Sequence, residues 1–373
     1  MYLEIHLIQN FAPANLNRDD TNNPKDCEFG GVRRARISSQ CIKRAIRSEP
    51  VFAETTGVEV GERTKRVVER LSKQIGNRQP QEEIATILPT VVEKLLSKMD
   101  KDGQRTAVLL YFSAAEVETI STRILENWQE LANEQKRPGV ADRLAKEIVK
   151  ETKGRTSAPD IALFGRMLAE KPELNINAAC QVAHALSTHR VAMEMDFYTA
   201  VDDLNPDDSA GAGMMGFTGY NSSCFYRYAR LDWEQLLKNL DGDTNLAVKT
   251  VKGFLQASVQ AVPTGKQNSF AAQNPPSFLL AVVREGGNSW SLANAFEKPV
   301  RALGDSGLVQ PSVKALDSYW GRLSEVYGVN SIKLAVALTL DENIELSHLK
   351  DARVENLQKW VEAIAATMQE KSA

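Results

Sequence analysis

Residues 30–47, GGVRRARISSQCIKRAIR, bring together six cations (Arg33, Arg34, Arg36, Lys43, Arg44, Arg47), two serines and a glutamine, with no acid among them. Side chains of this kind bind anions. Two glycines open the stretch and allow backbone conformations closed to other residues. Ser38 and Ser39 then stand where a helix N-cap belongs. On a helical wheel Lys43, Arg44 and Arg47 fall within about 60° of Gln40, while Ile42 and Ile46 lie on the opposite side. The spacing therefore predicts a helix over Ser39–Arg47 with an apolar inner face and a cationic outer one. Its N-terminus adds unpaired N–H groups and a partial positive charge. A solvated basic face would share this pattern. The arginine-rich loop, the paired serines and the missing acids favour a track of phosphates over a single small anion.

Catalytic chemistry has weaker candidates. Asp19, Asp20 and Asp26 could together hold a magnesium ion, although Arg18 and Lys25 beside them point to ion pairs or turn capping instead. The four histidines (His6, His184, His189, His348) lack metal-ligand spacing, and no phosphate-binding glycine loop or nucleophile elbow occurs. Cys27, Cys41, Cys180 and Cys224 are scattered without a CxxC pair, which fits a reducing cytoplasm and offers no zinc site. The net charge of −3 over 373 residues argues against a general nucleic-acid coat and permits a local basic groove. No apolar run approaches a membrane span. MYLEIHLIQ alternates and carries Glu4, so it is expected to be a strand and not a signal peptide.

The elements that must position these groups are mixed. Residues 2–9 read as an edge or half-buried strand, and 10–37 as one long loop. Between 58 and 153 the periodicity is helical, with helices expected near 63–75, 81–99 (broken or kinked at Pro89), 114–134 and 141–151, and a strand possible only at 107–112. DIALFGRM (160–167) reads as a strand and 177–186 as a helix. Residues 190–204 and 222–231 alternate as the arms of a long β-hairpin whose tip, 209–219, is rich in glycine and carries Met214, Met215 and Phe217. Helices near 233–240, 246–260, 310–327 and 354–369 and strands at 277–284 and 332–340 complete an α+β chain.

Asn17-Arg18-Asp19-Asp20, Lys25-Asp26, Phe29-Gly30-Gly31, Arg33-Arg34, Arg36-Ile37-Ser38-Ser39-Gln40 and Lys43-Arg44-Ala45 resemble the N-terminal signature of the CasC-type backbone subunit of type I-E CRISPR Cascade, within the repeat-associated, RRM-like RNA-binding superfamily. The resemblance implies a modified RRM or ferredoxin-like palm (1–56 and 156–373), a helical fingers insertion (57–155) and a β-hairpin thumb (195–226). It implies a cytoplasmic, non-enzymatic protein without cofactor. Its partners would be CRISPR RNA, target DNA, further copies of itself packed head-to-tail, and the large, small, cap and RNA-processing subunits. By the same resemblance Arg18, Lys25, Arg34, Ser38, Gln40, Lys43, Arg47, Arg166, Lys298 and Arg301 would contact RNA. Met167, with Met214, Met215 and Phe217 of the thumb, would displace a base. The competing readings are a metal-dependent RNase of the same superfamily using the loop aspartates, and an RNA-binding scaffold outside CRISPR.

Overall fold

The computed structural model describes residues 1–200, 214–302, 304 and 306–370. They form two compact units, Met1–Phe52 with Gln181–Leu231 and Phe254–Ala373, and Ala53–Cys180 with Asp232–Gly253.

The first unit is built on a sheet whose central strands run in the order Phe278–Arg284, Tyr2–Ala14, Met214–Asp232, Ala185–Ser187. In chain order these strands and the helices Ser39–Ser48 and Thr244–Gln260, the latter belonging to this unit from Phe254 onward, make βαββαβ, the ferredoxin-like sequence of elements, with the first and third strands innermost. Ile332–Thr339 widens one edge, and Val32–Ile37 with Asp26–Phe29 widens the other. Tyr2 pairs with Arg284 and Ile8 with Phe278 in antiparallel register. This strand is central and buried on both faces from Leu3 to Gln9, not at an edge or half-buried. Helix Val309–Tyr327 and the short turn Leu292–Phe296 pack on Ile8, Tyr226, Phe278 and Leu280, so that face of the sheet is closed.

The second unit holds helices Val67–Ile75, Gln81–Leu95, Ala114–Glu126 and Arg137–Thr152 around Leu71, Leu88, Val92, Ile124 and Leu144. Gln81–Leu95 continues through Pro89 without breaking. A two-stranded ribbon, Glu62–Thr64 with Leu110–Phe112, stands beside them. This unit extends past 57–155 to take in residues up to Cys180 and Asp232–Gly253.

Three local expectations are corrected. Residues 10–37 are not one loop: Asp26–Phe29 and Val32–Ile37 form a hairpin. Its two-residue turn is Gly30-Gly31, both at positive φ (60° and 72°), the geometry of the tightest β-hairpins. Residues 160–167 are not a strand. Pro159–Phe164 is a helix, opened by proline and ended by Gly165 at φ 76°, punctuation that outweighs the apolar run. Residues 177–186 are not a helix but the strands Cys180–Val182 and Ala185–Ser187. The second strand of the βαββαβ order is therefore Ala185–Ser187.

The long hairpin is present, with Glu194–Ala200 antiparallel to Met214–Tyr220. Met214 and Met215 are thus in a strand, not a turn, while the part of the expected tip before Met214 lies outside the described residues.

Candidate nucleic-acid interface

Helix Ser39–Ser48 is anchored by Ile42 and Ile46, which point into the core. Burying each side chain contributes about 2 kcal/mol. Ser38 is the N-cap: its Oγ accepts from Cys41 N at 3.3 Å, and its own N–H donates to Asn17 Oδ1 at 2.8 Å. It is largely buried, which corrects its expected place on the surface. Ser39 and Gln40 face outward in its stead. No acid occupies the first turn, and Arg47 stands in the last.

The preceding loop is folded against this helix end. Lys25 N donates to Asn17 O, Arg36 N donates to Lys25 O, and Arg18 Nη1 reaches Asn22 Oδ1 at 2.7 Å. Asn15 Nδ2 ties the loop to Gly219 O at the base of the long hairpin. Burial raises the Cys41 thiol pKa while the Lys25 and Arg44 charges oppose it, so both cations stand near the helix start. His184 accepts a hydrogen bond from Arg36 Nη1 at 3.0 Å through Nδ1, which leaves its proton on Nε2. Burial, then Arg36 and Lys25, hold this imidazole below its ordinary pKa. Lys25, Arg36, His184 and Arg44 therefore lie near the start of this helix, where Gln40 is exposed. In the sequence, Arg36 and Arg44 count among the cations of the stretch but not among the RNA contacts implied by the resemblance, and His184 is in neither set.

Arg34 is not part of that group. It is 0% exposed, and its guanidinium donates to the carbonyls of Phe29, Ser187, Phe296 and Glu297. It fastens the Gly30-Gly31 hairpin to the segment after Leu292. Arg166 is likewise an internal clamp, 5% exposed, donating to Glu116 Oε1 at 2.6 Å and to the carbonyls of Tyr111 and Leu174. Glu116 is at the same time the reciprocal partner of Ser113 in a capping box. Each of these buried guanidiniums spends four of its five N–H donors on internal acceptors.

Met167, next in the chain, is 83% exposed. With Leu109 it lines a hollow walled by Tyr111, over whose ring the Arg63 guanidinium lies at 4.6 Å. On the hairpin, Phe197 and Phe217 are directly paired with ring centroids 5.2 Å apart, and both are exposed with Met195 on the same face. Lys298 and Arg301 are exposed beside Thr188–Arg190, held there by Val300 N donating to Thr188 O.

Asp19 and Asp26 are engaged. Asp19 Oδ1 accepts from Thr21 N, Thr21 Oγ1 and Asn23 N, and the Thr21 hydrogen bond foremost keeps its carboxyl below the usual range. Asp26 pairs with Arg33 at 2.9 Å. Among the described residues no three His, Cys, Asp or Glu side chains gather as metal ligands, and no helix is long and apolar enough to cross a membrane.

The family described as CT1975-like protein matches residues 3–363. The chain belongs to the CT1975-like family. It is similar, at 30% identity and TM-score 0.85, to a solved chain titled "CRISPR RNA-guided surveillance complex, pre-nicking", with 99% of this chain and 100% of that chain covered. A second chain, titled "CRISPR RNA-guided surveillance complex", is 26% identical with TM-score 0.75, covering 98% and 100%. No curated protein matches. Of the N-terminal signature, Arg34 and Ser38 are turned inward, whereas Arg18, Lys25, Arg36, Gln40 and Arg44 are not buried.

Proposed function

We propose that this chain is the RNA-binding backbone subunit of a CRISPR surveillance complex of the type I-E Cascade kind. Copies pack head-to-tail along the guide RNA, hold its sugar-phosphate chain and leave its bases free to pair with target DNA. Likeness along the whole chain to two subunits of RNA-guided surveillance complexes supports the assembly. The observation that carries the RNA role is the acid-free start of helix Ser39–Ser48, with Lys25, Arg36 and Arg44 near it. Charged, amide and backbone donors of this sort read phosphates and not base identity, as a scaffold for arbitrary guides requires. The exposed Phe197–Phe217 face and Met167 supply apolar surface against which a displaced base can rest. A non-catalytic role is supported by two of the three candidate aspartates being otherwise engaged, Asp19 in closing a turn and Asp26 in pairing with Arg33.

Salt dependence tests the phosphate contacts. The double variant K25A/R44A is expected to flatten the slope of log K against log salt by about 1.4, equally for unrelated guide sequences. An unchanged slope returns both residues to a solvated face.

A further inference from the structure

Two titratable side chains, Glu4 and His6, stand two apart on strand Tyr2–Ala14 and so share one face of the sheet. Both are wholly buried. Glu4 Oε1 accepts from Trp290 N at 3.0 Å and from Arg284 Nε at 3.1 Å. The Tyr226 oxygen accepts from Leu292 N at 2.8 Å and lies 2.9 Å from His6 Nδ1. With its oxygen taken by that amide, the hydroxyl gives its proton to Nδ1, and the neutral imidazole carries its own proton on Nε2. Nε2 stands 3.8 Å from Glu4 Oε2, and among the described residues neither atom has a hydrogen-bond partner. The imidazole also meets Tyr228, with ring centroids 5.1 Å apart, and the charge of Arg284, which opposes protonation as burial does.

Trp290 and Leu292, whose amides are held here, open the segment that leads to Lys298 and Arg301. Arg34 fixes its middle through Phe296 O and Glu297 O, and Val300 N fixes its far end on Thr188 O. Its beginning rests on Glu4 and Tyr226, the two groups that flank His6. A second proton on His6 disturbs both. Nδ1–H then donates to the Tyr226 oxygen in competition with Leu292 N, and the new charge draws Glu4 Oε2 across the 3.8 Å gap, away from its place under Trp290.

We propose that Glu4, His6 and Tyr226 are positioning residues for Lys298 and Arg301: a neutral His6 leaves both anchors in place, and a protonated one loosens the start of the segment. The RNA half of this proposal rests on the function proposed above.

Hydrogen exchange on the full chain tests the support without RNA. From pH 7.5 to 5.5, after correction for intrinsic exchange, protection of the Trp290 and Leu292 amides is expected to fall, by at most about tenfold per pH unit for one proton. That of Val300, held on Thr188, is expected to stay level. His6→Gln is expected to lose the pH dependence. No fall at Trp290 and Leu292 in wild type, or an equal fall at Val300, overturns the proposal whether or not the variant folds. With guide RNA, K298A/R301A is expected to weaken binding more at pH 7.5 than at 5.5. Equal weakening at both overturns the positioning role, whereas no weakening at either overturns the RNA half alone.

Discussion

Two short segments, Gly30–Arg36 in the first unit and Gly165–Met167 in the second, solve the same problem. Each begins at a glycine whose neighbours leave no room for a side chain: a Cβ on Gly30 would meet Glu297 O at 1.9 Å, and one on Gly165 would meet Ile176 O at 2.8 Å. Each then turns an arginine inward onto carbonyl oxygens and sets a nearby residue outside, Arg33 and Arg36 in one case, Met167 in the other. The inward arginine holds the backbone rigid, and the outward neighbour meets the solvent or a partner. Charge in a sequence motif thus does not by itself identify the group that touches a ligand.

The comparison breaks most sharply on the clamps. Arg34→Ala strands four carbonyls, two of them buried, and is expected to cost on the order of 4 kcal/mol of stability, while Arg33→Ala, at an exposed ion pair, changes stability by less than about 1 kcal/mol. Denaturant titration of the two variants checks this, and equal losses would mean that Arg34 is no clamp. In the second segment Gly165→Ala forces a side chain into a left-handed backbone and is expected to cost about 2 kcal/mol, whereas Met167→Ala stays within about 0.5 kcal/mol of wild type. Thermal melts separate them. If Met167→Ala destabilised as much as Gly165→Ala, Met167 would be packing and not presented.

A smaller effect is expected where a buried arginine is matched by an acid. Glu4 and Arg284 lie beside His6, whose imidazole bonds to the Tyr226 hydroxyl at 2.9 Å. Burial holds His6 below its ordinary pKa, against the pull of Glu4. The unfolded chain then binds the proton more tightly than the folded one. Its contribution to stability is therefore present above about pH 6.5 and declines as pH falls toward the folded pKa, by at most about 1.4 kcal/mol per pH unit. Stability measured from pH 7.5 to 5 should show this decline, and His6→Gln should reduce it.

What the sequence disclosed follows the range of the interactions. Helix Ser39–Ser48 was legible because its cap, its apolar face and its cationic face are local features. The α+β class and the hairpin arms were legible from periodicity. Pro159 and Gly165 carried the correct helix signal, but the apolar run between them resembles a buried strand equally well. Arg34 and Arg36 stand two apart on one strand. The segment Phe296–Glu297 lies over Arg34, and Arg36 reaches His184 instead. That distinction depends on a segment some 260 residues away in the chain, so no local pattern contains it. Ser38 was correctly placed at the cap; that capping draws it into the interior followed only from its bond to Cys41 and from Asn17 lying above it.

The most direct test of the central claim is co-expression of this chain with a CRISPR array and its neighbouring genes, followed by native mass and sequencing of the RNA that co-purifies. The account predicts intact guide RNAs inside an assembly holding several copies of the chain. Guides cut at regular intervals would contradict it in favour of the loop aspartates, and the absence of RNA, or random cellular RNA alone, would contradict it outright.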